Sequence, residues 1–111
     1  MQQSIIDRPD RLAAAVAAVA QSGPVLVVAD DAIVGRFATR WARDFAAAGR
    51  VHRVRVGGDV VAIAAEIRDL GATAVAGIGP AGLTAAVAAA AAAAGLPCVC
   101  GPHGQRAAPP P

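Results

Sequence analysis

The chain has no lysine and no tyrosine, and its 111 residues include only three aromatic side chains, Phe37, Trp41 and Phe45. A core with so few large residues must be built mainly from Ala, Val, Ile and Leu. Hydrophobic residues make up 56% of the chain and charged residues 16%, a balance that excludes a largely disordered protein. The length fits one domain. Because such a core is thin, we expect that a homo-oligomer partner or a second domain supplied in trans could complete it.

Lysine is absent, so all ten basic residues are arginines, and the formal net charge is only +2. Nucleic-acid binders carry clustered basic stripes, so we predict no nucleic-acid partner. The sequence has only two cysteines and no recognisable secretory signal, which favours the cytoplasm. No charged residue stands between Asp69 and Arg106, but Gly and Pro interrupt that stretch and its helical part is mostly Ala. We therefore predict no membrane span.

Helical and strand patterns alternate along the chain. Apolar residues recur at helical spacing over 10–21, 33–48, 60–70 and 81–94, and short apolar runs of strand length cover 25–29, 51–56, 73–78 and 96–100. This order predicts an α/β, three-layer Rossmann-like domain over residues 1–104, with a mostly parallel sheet of about four strands and helices on both faces. Residues 105–111 are predicted to form a disordered, Pro-rich tail.

Arginines mark two surfaces of this predicted domain. Residues 51–56 alternate, with Arg53 and Arg55 on one side, as expected of an edge strand. Arg36, Arg40 and Arg43 follow one face of the second helix, opposite its apolar residues. We interpret that row as a solvated face, with a site for an acidic partner as the alternative.

A glycine-rich turn follows the third predicted strand, where residues 74–83 read Ala-Val-Ala-Gly-Ile-Gly-Pro-Ala-Gly-Leu. Gly77, Gly79 and Gly82 would let a ligand approach the main chain, and the amides that begin the next helix would face a phosphate. Pro80 suits the first position of that helix. The same glycines would also serve a tight turn and close packing of helix on strand, and the sequence leaves both interpretations open.

Asp30 and Asp31 end the first apolar strand. An aspartate at this place caps the helix that follows or contacts the ribose of a nucleotide, and the two roles can coexist.

With these strands and turns, the chain resembles the N-terminal nucleotide-binding domain of the superfamily of glycerol dehydrogenase, iron-containing alcohol dehydrogenase and dehydroquinate synthase. The resemblance covers residues 22–102 and rests on Pro-Val-Leu-Val-Val-Ala-Asp, Ala-Val-Ala-Gly-Ile-Gly and Gly-Leu-Pro-Cys-Val-Cys-Gly-Pro, in that order. It implies an oxidoreductase-type domain that binds NAD. The implied cofactor-binding residues are Asp30 for the ribose, and Gly77, Gly79, Ala81 and Gly82 for the pyrophosphate.

The chain departs from that family in the helix after the glycine turn. Where the family has an Asp and a Lys, this sequence has Ala85 and Ala88. The family's metal ligands and substrate pocket belong to a helical C-terminal domain that the resemblance does not reach. What it implies is thus a truncated, nucleotide-binding half without a complete active site.

Other reactive residues do not form a recognisable catalytic set. Cys98, Cys100 and His103 make a C-x-C-x-x-H cluster, but zinc sites usually need four ligands at wider spacing, so we predict small core residues, a surface His and no metal. His52, in the edge strand, is predicted to be exposed. No catalytic residue is assigned, since no Ser-His-Asp order or carboxylate pair is evident.

The leading hypothesis is therefore a nucleotide- or NAD-binding domain. The alternative is a non-catalytic α/β module that mediates an interaction or senses a small molecule together with a partner subunit.

Overall fold

The computed structural model describes residues 3–102, in which five strands alternate with four α-helices. The strands are β1 (Gln3–Ile5), β2 (Val25–Ala29), β3 (His52–Val56), β4 (Ala74–Gly79) and β5 (Cys98–Pro102). The helices are α1 (Leu12–Val19), α2 (Asp31–Ala47), α3 (Val60–Leu70) and α4 (Ala81–Ala94), and a 3-10 turn at Pro9–Arg11 leads into α1. The predicted tail, Gln105 onward, and His103 lie outside the described residues.

All strands of the described sheet are parallel, in the order β1-β5-β4-β2-β3. β2 pairs with both β3 and β4 and is buried at every residue, as its unbroken apolar run predicts. β3 is an edge strand, which confirms the interpretation of its alternating pattern. The described sheet has five strands, one more than the sequence predicted. The additional strand, β1, was not predicted because it is only three residues long and carries no periodic signal.

Helices cover both faces of the sheet, which confirms the three-layer α/β architecture. α1 and α2 pack on the face that carries Val25, Val27 and Ala29 of β2. α3 and α4 pack on the opposite face, which carries Leu26 and Val28. Successive residues of β2 thus supply two separate cores, as the alternation of side chains along a strand requires.

Several helix ends lie where the sequence predicts them. The side chains of Asp30 and Asp59 accept hydrogen bonds from the backbone N–H groups of Ile33 and Ala62, at 2.9 and 2.8 Å, and so cap α2 and α3. Gly71 and Gly95 end α3 and α4 in the left-handed conformation, which glycine adopts without a steric penalty.

Three boundaries differ from the prediction. The first helix is shorter than residues 10–21, because its first residues form the 3-10 turn and the chain is already extended at Ala20. β5 runs two residues further than residue 100, to Pro102. Pro80 is the extended residue before α4, with ψ of 162°, and Ala81 takes the first helical position that was predicted for the proline.

The arginines of the edge strand are neutralised by the neighbouring helix. Nη1 of Arg53 lies 2.6 Å from Glu66 and 2.8 Å from Asp69, and Nη1 of Arg55 lies 3.0 Å from Glu66. Hydrogen bonds from Arg53 first, and then from Arg55, hold the pKa of Glu66 below its ordinary value of 4.5. This cluster ties α3 to β3.

We expect the Glu66 contacts to make stability depend on pH. Because the folded-state pKa is the lower one, their contribution is present above about pH 4.5 and is lost as the pH falls through that value to the folded-state pKa. The measurement is urea unfolding at several pH values for the native chain and for Glu66→Gln. Between pH 7 and 5 the difference in unfolding free energy should be constant, and below pH 4.5 it should shrink. A difference that stays constant at all pH values would contradict this assignment.

No helix within residues 3–102 is long and apolar enough to cross a membrane. The Ala-rich α4, which falls in the uncharged stretch, has 14 residues.

Candidate functional site

The candidate site lies at the carboxyl edge of the sheet, between β2 and β4. These two strands are neighbours, with Ala29 opposite Ile78 at their ends. From β2 the chain turns into α2 on one face of the sheet, and from β4 it turns into α4 on the other face. Adjacent parallel strands whose helices leave in opposite directions open a crevice between their carboxyl ends, where open α/β sheets bind ligands.

Asp30 borders this crevice from the β2 side. It is half-buried, and its Oδ1 accepts the hydrogen bond from Ile33 that begins α2. Its backbone N–H donates to the carbonyl of Ile78 at 3.3 Å, so the two sides of the crevice are joined at its base. The capping role predicted for Asp30 is confirmed, and the ribose contact stays a prediction. Asp31, the first residue of α2, is exposed.

The first turn of α4 borders the crevice from the β4 side. Pro80, Ala81 and Gly82 are exposed there, and Pro80 has no side-chain oxygen with which to cap the helix. The carbonyl of Pro80 accepts from the N–H groups of Leu83 and Thr84, so the N–H groups of Ala81 and Gly82 precede the hydrogen-bonded turn. Such amides, together with the positive end of the helix dipole, suit an anionic group.

The three glycines of the predicted motif lie in three different surroundings. A Cβ on Gly77 would lie 2.9 Å from three side-chain atoms of Val87, so this glycine admits α4 onto the sheet. A Cβ on Gly79 would lie 2.8 Å from Cδ2 of Leu83 and 3.8 Å from the backbone nitrogen of Asp30. Nothing lies within 4 Å of a Cβ on Gly82. Gly77 and Gly79 are both buried under side chains of α4, and Gly79 is the one that lies near Asp30, whereas Ala81 and Gly82 are exposed at the start of the helix.

A third segment, the loop after β3, also lies at this edge and was not predicted from the sequence. The N–H of Gly57 donates to the carbonyl of Ala29 at 3.0 Å, which brings the loop beside Asp30. Nε of Arg55 donates to the carbonyl of Gly57, and a Cβ on Gly58 would collide with that arginine at 2.7 Å. The Gly-Gly pair after a predicted strand was the signal in the sequence that could have identified this turn, and both glycines have positive φ.

Chemically, this arrangement is suited to binding a ligand that carries both an anionic group and hydroxyl groups. α4 carries no charged residue, so its amides and dipole are the groups that could attract an anion there. Ala85 and Ala88, where the resembling family has an Asp and a Lys, add no polar side chain. A carboxylate, Asp30, stands on the opposite side of the crevice and can accept hydrogen bonds from hydroxyl groups.

The remaining candidate residues lie away from the crevice. His52 is half-buried and stacks on Phe45, with ring centroids 5.2 Å apart, so the prediction that it is exposed was wrong; burial lowers its pKa. Arg36 and Arg43 are exposed, and Arg40 pairs with Asp44 one turn away, as expected of a solvated face. Within residues 3–102 no group of three or more potential metal ligands is present.

Comparisons with known proteins support the fold and do not identify a family. A scan against protein-family models and a search of curated proteins gave no match. Among solved structures, the chain is similar to glycerol dehydrogenase from Schizosaccharomyces pombe, with a TM-score of 0.69 and 16% identity. That match covers 91% of this chain and 28% of the dehydrogenase. The chain is also similar to the precorrin-6A reductase CobK, with a TM-score of 0.58 and 21% identity over 96% of this chain and 49% of the reductase. It therefore shares a Rossmann-like fold with parts of both enzymes.

Proposed function

We propose that the chain is a nucleotide-binding domain that takes NAD at the crevice between β2 and β4. The observation that carries this proposal is the start of α4, which is exposed and has no side-chain cap, at the point between β4 and β2 where the strand order of the sheet switches. The pyrophosphate would lie on the N–H groups of Ala81 and Gly82, and Asp30 would accept a hydrogen bond from a ribose hydroxyl. Gly79, at the end of β4, would lie beside the pyrophosphate, with the side chain of Leu83 packed against it.

Two further observations support the proposal. The similar structures are a dehydrogenase and a reductase, and this chain corresponds to a fraction of each. The sequence resemblance to the N-terminal domain of glycerol dehydrogenase assigns the pyrophosphate to the same turn. Gly77 has only a packing role in this proposal, because the side chain of Val87 occupies the space beside it. Because the resemblance extends only to the nucleotide-binding half of that family, the domain would bind the cofactor without forming a complete active site by itself.

Calorimetric titration with NAD and with ADP-ribose tests the proposal. Calorimetry is preferable to tryptophan fluorescence because Trp41 is fully buried. We expect both ligands to bind, and nicotinamide mononucleotide, which lacks the adenosine half, to bind more weakly. Absence of any heat from NAD and ADP-ribose at millimolar concentration would contradict the proposed function and leave the fold unaffected.

A charge placed at the start of α4 gives a sharper test. We expect Gly82→Asp to weaken NAD binding by about tenfold or more, because its carboxylate would repel the pyrophosphate. The chain should remain folded, since an acidic residue in the first turn stabilises a helix and a Cβ at position 82 has open space around it. The matched control is Ala89→Asp, which adds the same charge at an exposed position two turns further along α4. Equal affinities in the two variants would place the anion elsewhere.

The interaction-module alternative rests on a separate observation. Val56, Val60 and Val61, at the end of β3 and the start of α3, are 54%, 40% and 77% exposed. They stand close together in the sequence, and clustered exposed apolar side chains are typical of partner contacts. Sedimentation of the same sample distinguishes this alternative, since it requires association and the nucleotide proposal does not.

A further inference from the structure

The two cysteines of the chain form a close pair inside the second core. Cys98 and Cys100 stand two residues apart in β5, so both side chains point to the same face of the sheet. Their sulfur atoms are 3.3 Å apart and share a hydrogen bond. Helix α4 packs over β5 and covers them, and their exposed fractions are 3% and 7%. Neither residue has a part in the proposed nucleotide site.

The two thiols are not equivalent. Cys100 lies opposite Gly77 of β4, and its sulfur is 3.8 Å from the carbonyl oxygen of Thr84 in the first turn of α4. Cys98 lies deeper, opposite Val75. A hydrogen bond from Cys98 lowers the pKa of Cys100 from its ordinary value. The same hydrogen bond, with burial, raises the pKa of Cys98. We therefore expect Cys100 to react first, although both thiols are buried.

We propose that Cys98 and Cys100 form a redox-active dithiol, which hydrogen peroxide converts to an intrachain disulfide. The Cys100 thiolate attacks one peroxide oxygen, the O–O bond breaks, and the departing hydroxide takes up a proton to leave as water. Cys100 is then a sulfenic acid. The sulfur of Cys98 attacks it, the S–O bond breaks, and the second hydroxide leaves as water with the Cys98 proton. The two thiols lose two electrons and two protons, and one peroxide is reduced to two waters.

The geometry favours this second step over further oxidation of Cys100. The resolving sulfur is already at 3.3 Å and must approach to about 2.05 Å, the length of a disulfide bond. Two residues of a strand span about 6.6 Å between Cα atoms, near the upper limit for a disulfide. A bond formed under that constraint is easily reduced, so the site should cycle between its two states.

Mass spectrometry of the native, folded chain after peroxide treatment tests the proposal directly. We expect a monomer lighter by two hydrogen atoms, a single proteolytic peptide that holds both cysteines in a disulfide, and full reversal by dithiothreitol. Sulfinic or sulfonic acid as the main product, a dimer linked between chains, or thiols that react only after the chain unfolds would each overturn it.

Cys98→Ala and Cys100→Ala assign the roles of the two sulfurs. With Cys98 replaced, oxidation should stop at a sulfenic acid on Cys100 that dimedone traps. With Cys100 replaced, the remaining thiol should react with peroxide at least about tenfold more slowly than the native chain does. Phenylarsine oxide, which requires two adjacent thiols, should bind the native chain once and bind neither variant. Equal oxidation rates in the variants, or no arsenical bound by the native chain, would refute the assignment. Circular dichroism shows whether each variant is folded, and the measurements on the native chain decide the proposal if one is not.

Discussion

Replacing Trp41 by alanine is expected to lower the free energy of unfolding by about 3–5 kcal/mol, the usual cost of truncating a buried tryptophan. Trp41 is fully buried between α2 and the sheet, where it is the largest side chain of a core that is otherwise mostly aliphatic. Its indole Nε1 also donates a hydrogen bond to the carbonyl of Pro9 at 2.8 Å. The side chain thus joins α2 to the turn that leads into α1.

Urea unfolding followed by circular dichroism measures this loss. The matched control is Trp41→Phe, which keeps an aromatic ring in the site, as Phe37 stacks on Trp41 with ring centroids 6.0 Å apart. It removes the hydrogen bond to Pro9 and part of the volume, so we expect a smaller loss, about 1–3 kcal/mol. A loss below about 1 kcal/mol for Trp41→Ala would mean that the site collapses around the cavity and that the tryptophan is not the anchor of this face.

The elements of the fold were predictable wherever a local pattern was long or strongly punctuated. β2 is an unbroken apolar run, and α3 is framed by Asp59 and Gly71, so both were predicted to within a residue. β1 was not, because three residues give no period and its place in the sheet depends on pairing with β5, almost a hundred residues away in the sequence. Long-range pairing of this kind leaves no local signal.

The parts of the candidate site that follow directly from local patterns were predictable, and the parts that depend on long-range contacts were not. Asp30 and the glycine turn both follow strands, and adjacent parallel strands bring their carboxyl ends together. The contact of Gly57 with Ala29 was not predictable, because it depends on the register between β2 and β3. His52 was placed wrongly, since alternation gave its side of the strand but not the phenylalanine of α2 that covers it.

The glycine motif shows most clearly what a spacing pattern leaves undecided. In the sequence Gly77 and Gly82 have the same standing as candidate contacts for a phosphate. In the structure one is buried under Val87 and the other is open to solvent. A motif of glycines therefore combines positions that admit a helix with positions that could admit a ligand, and only the packing of α4 on β4 separates them.

We expect Gly77→Ala to destabilise the chain by about 1–3 kcal/mol, the cost of overpacking a core. The added methyl group would lie 2.9 Å from Cβ, Cγ1 and Cγ2 of Val87, so α4 would have to move away from the sheet. The matched control is Gly82→Ala in the same motif, where the methyl group meets nothing within 4 Å. That change should leave stability unaltered or raise it by up to about 1 kcal/mol, because alanine favours a helix more than glycine does.

A double-mutant cycle with Val87→Ala identifies the cause of the Gly77 effect. Val87→Ala alone opens a cavity and should cost about 2 kcal/mol. In the double variant the methyl group at position 77 occupies part of that cavity, so the combined loss in urea unfolding should fall short of the sum by about 1 kcal/mol or more. If the two losses simply add, the methyl group does not meet Val87 and the cost of Gly77→Ala has another cause. A shortfall would assign Gly77 to the contact between α4 and β4 and leave Ala81 and Gly82 as the exposed part of the motif that can bind a nucleotide.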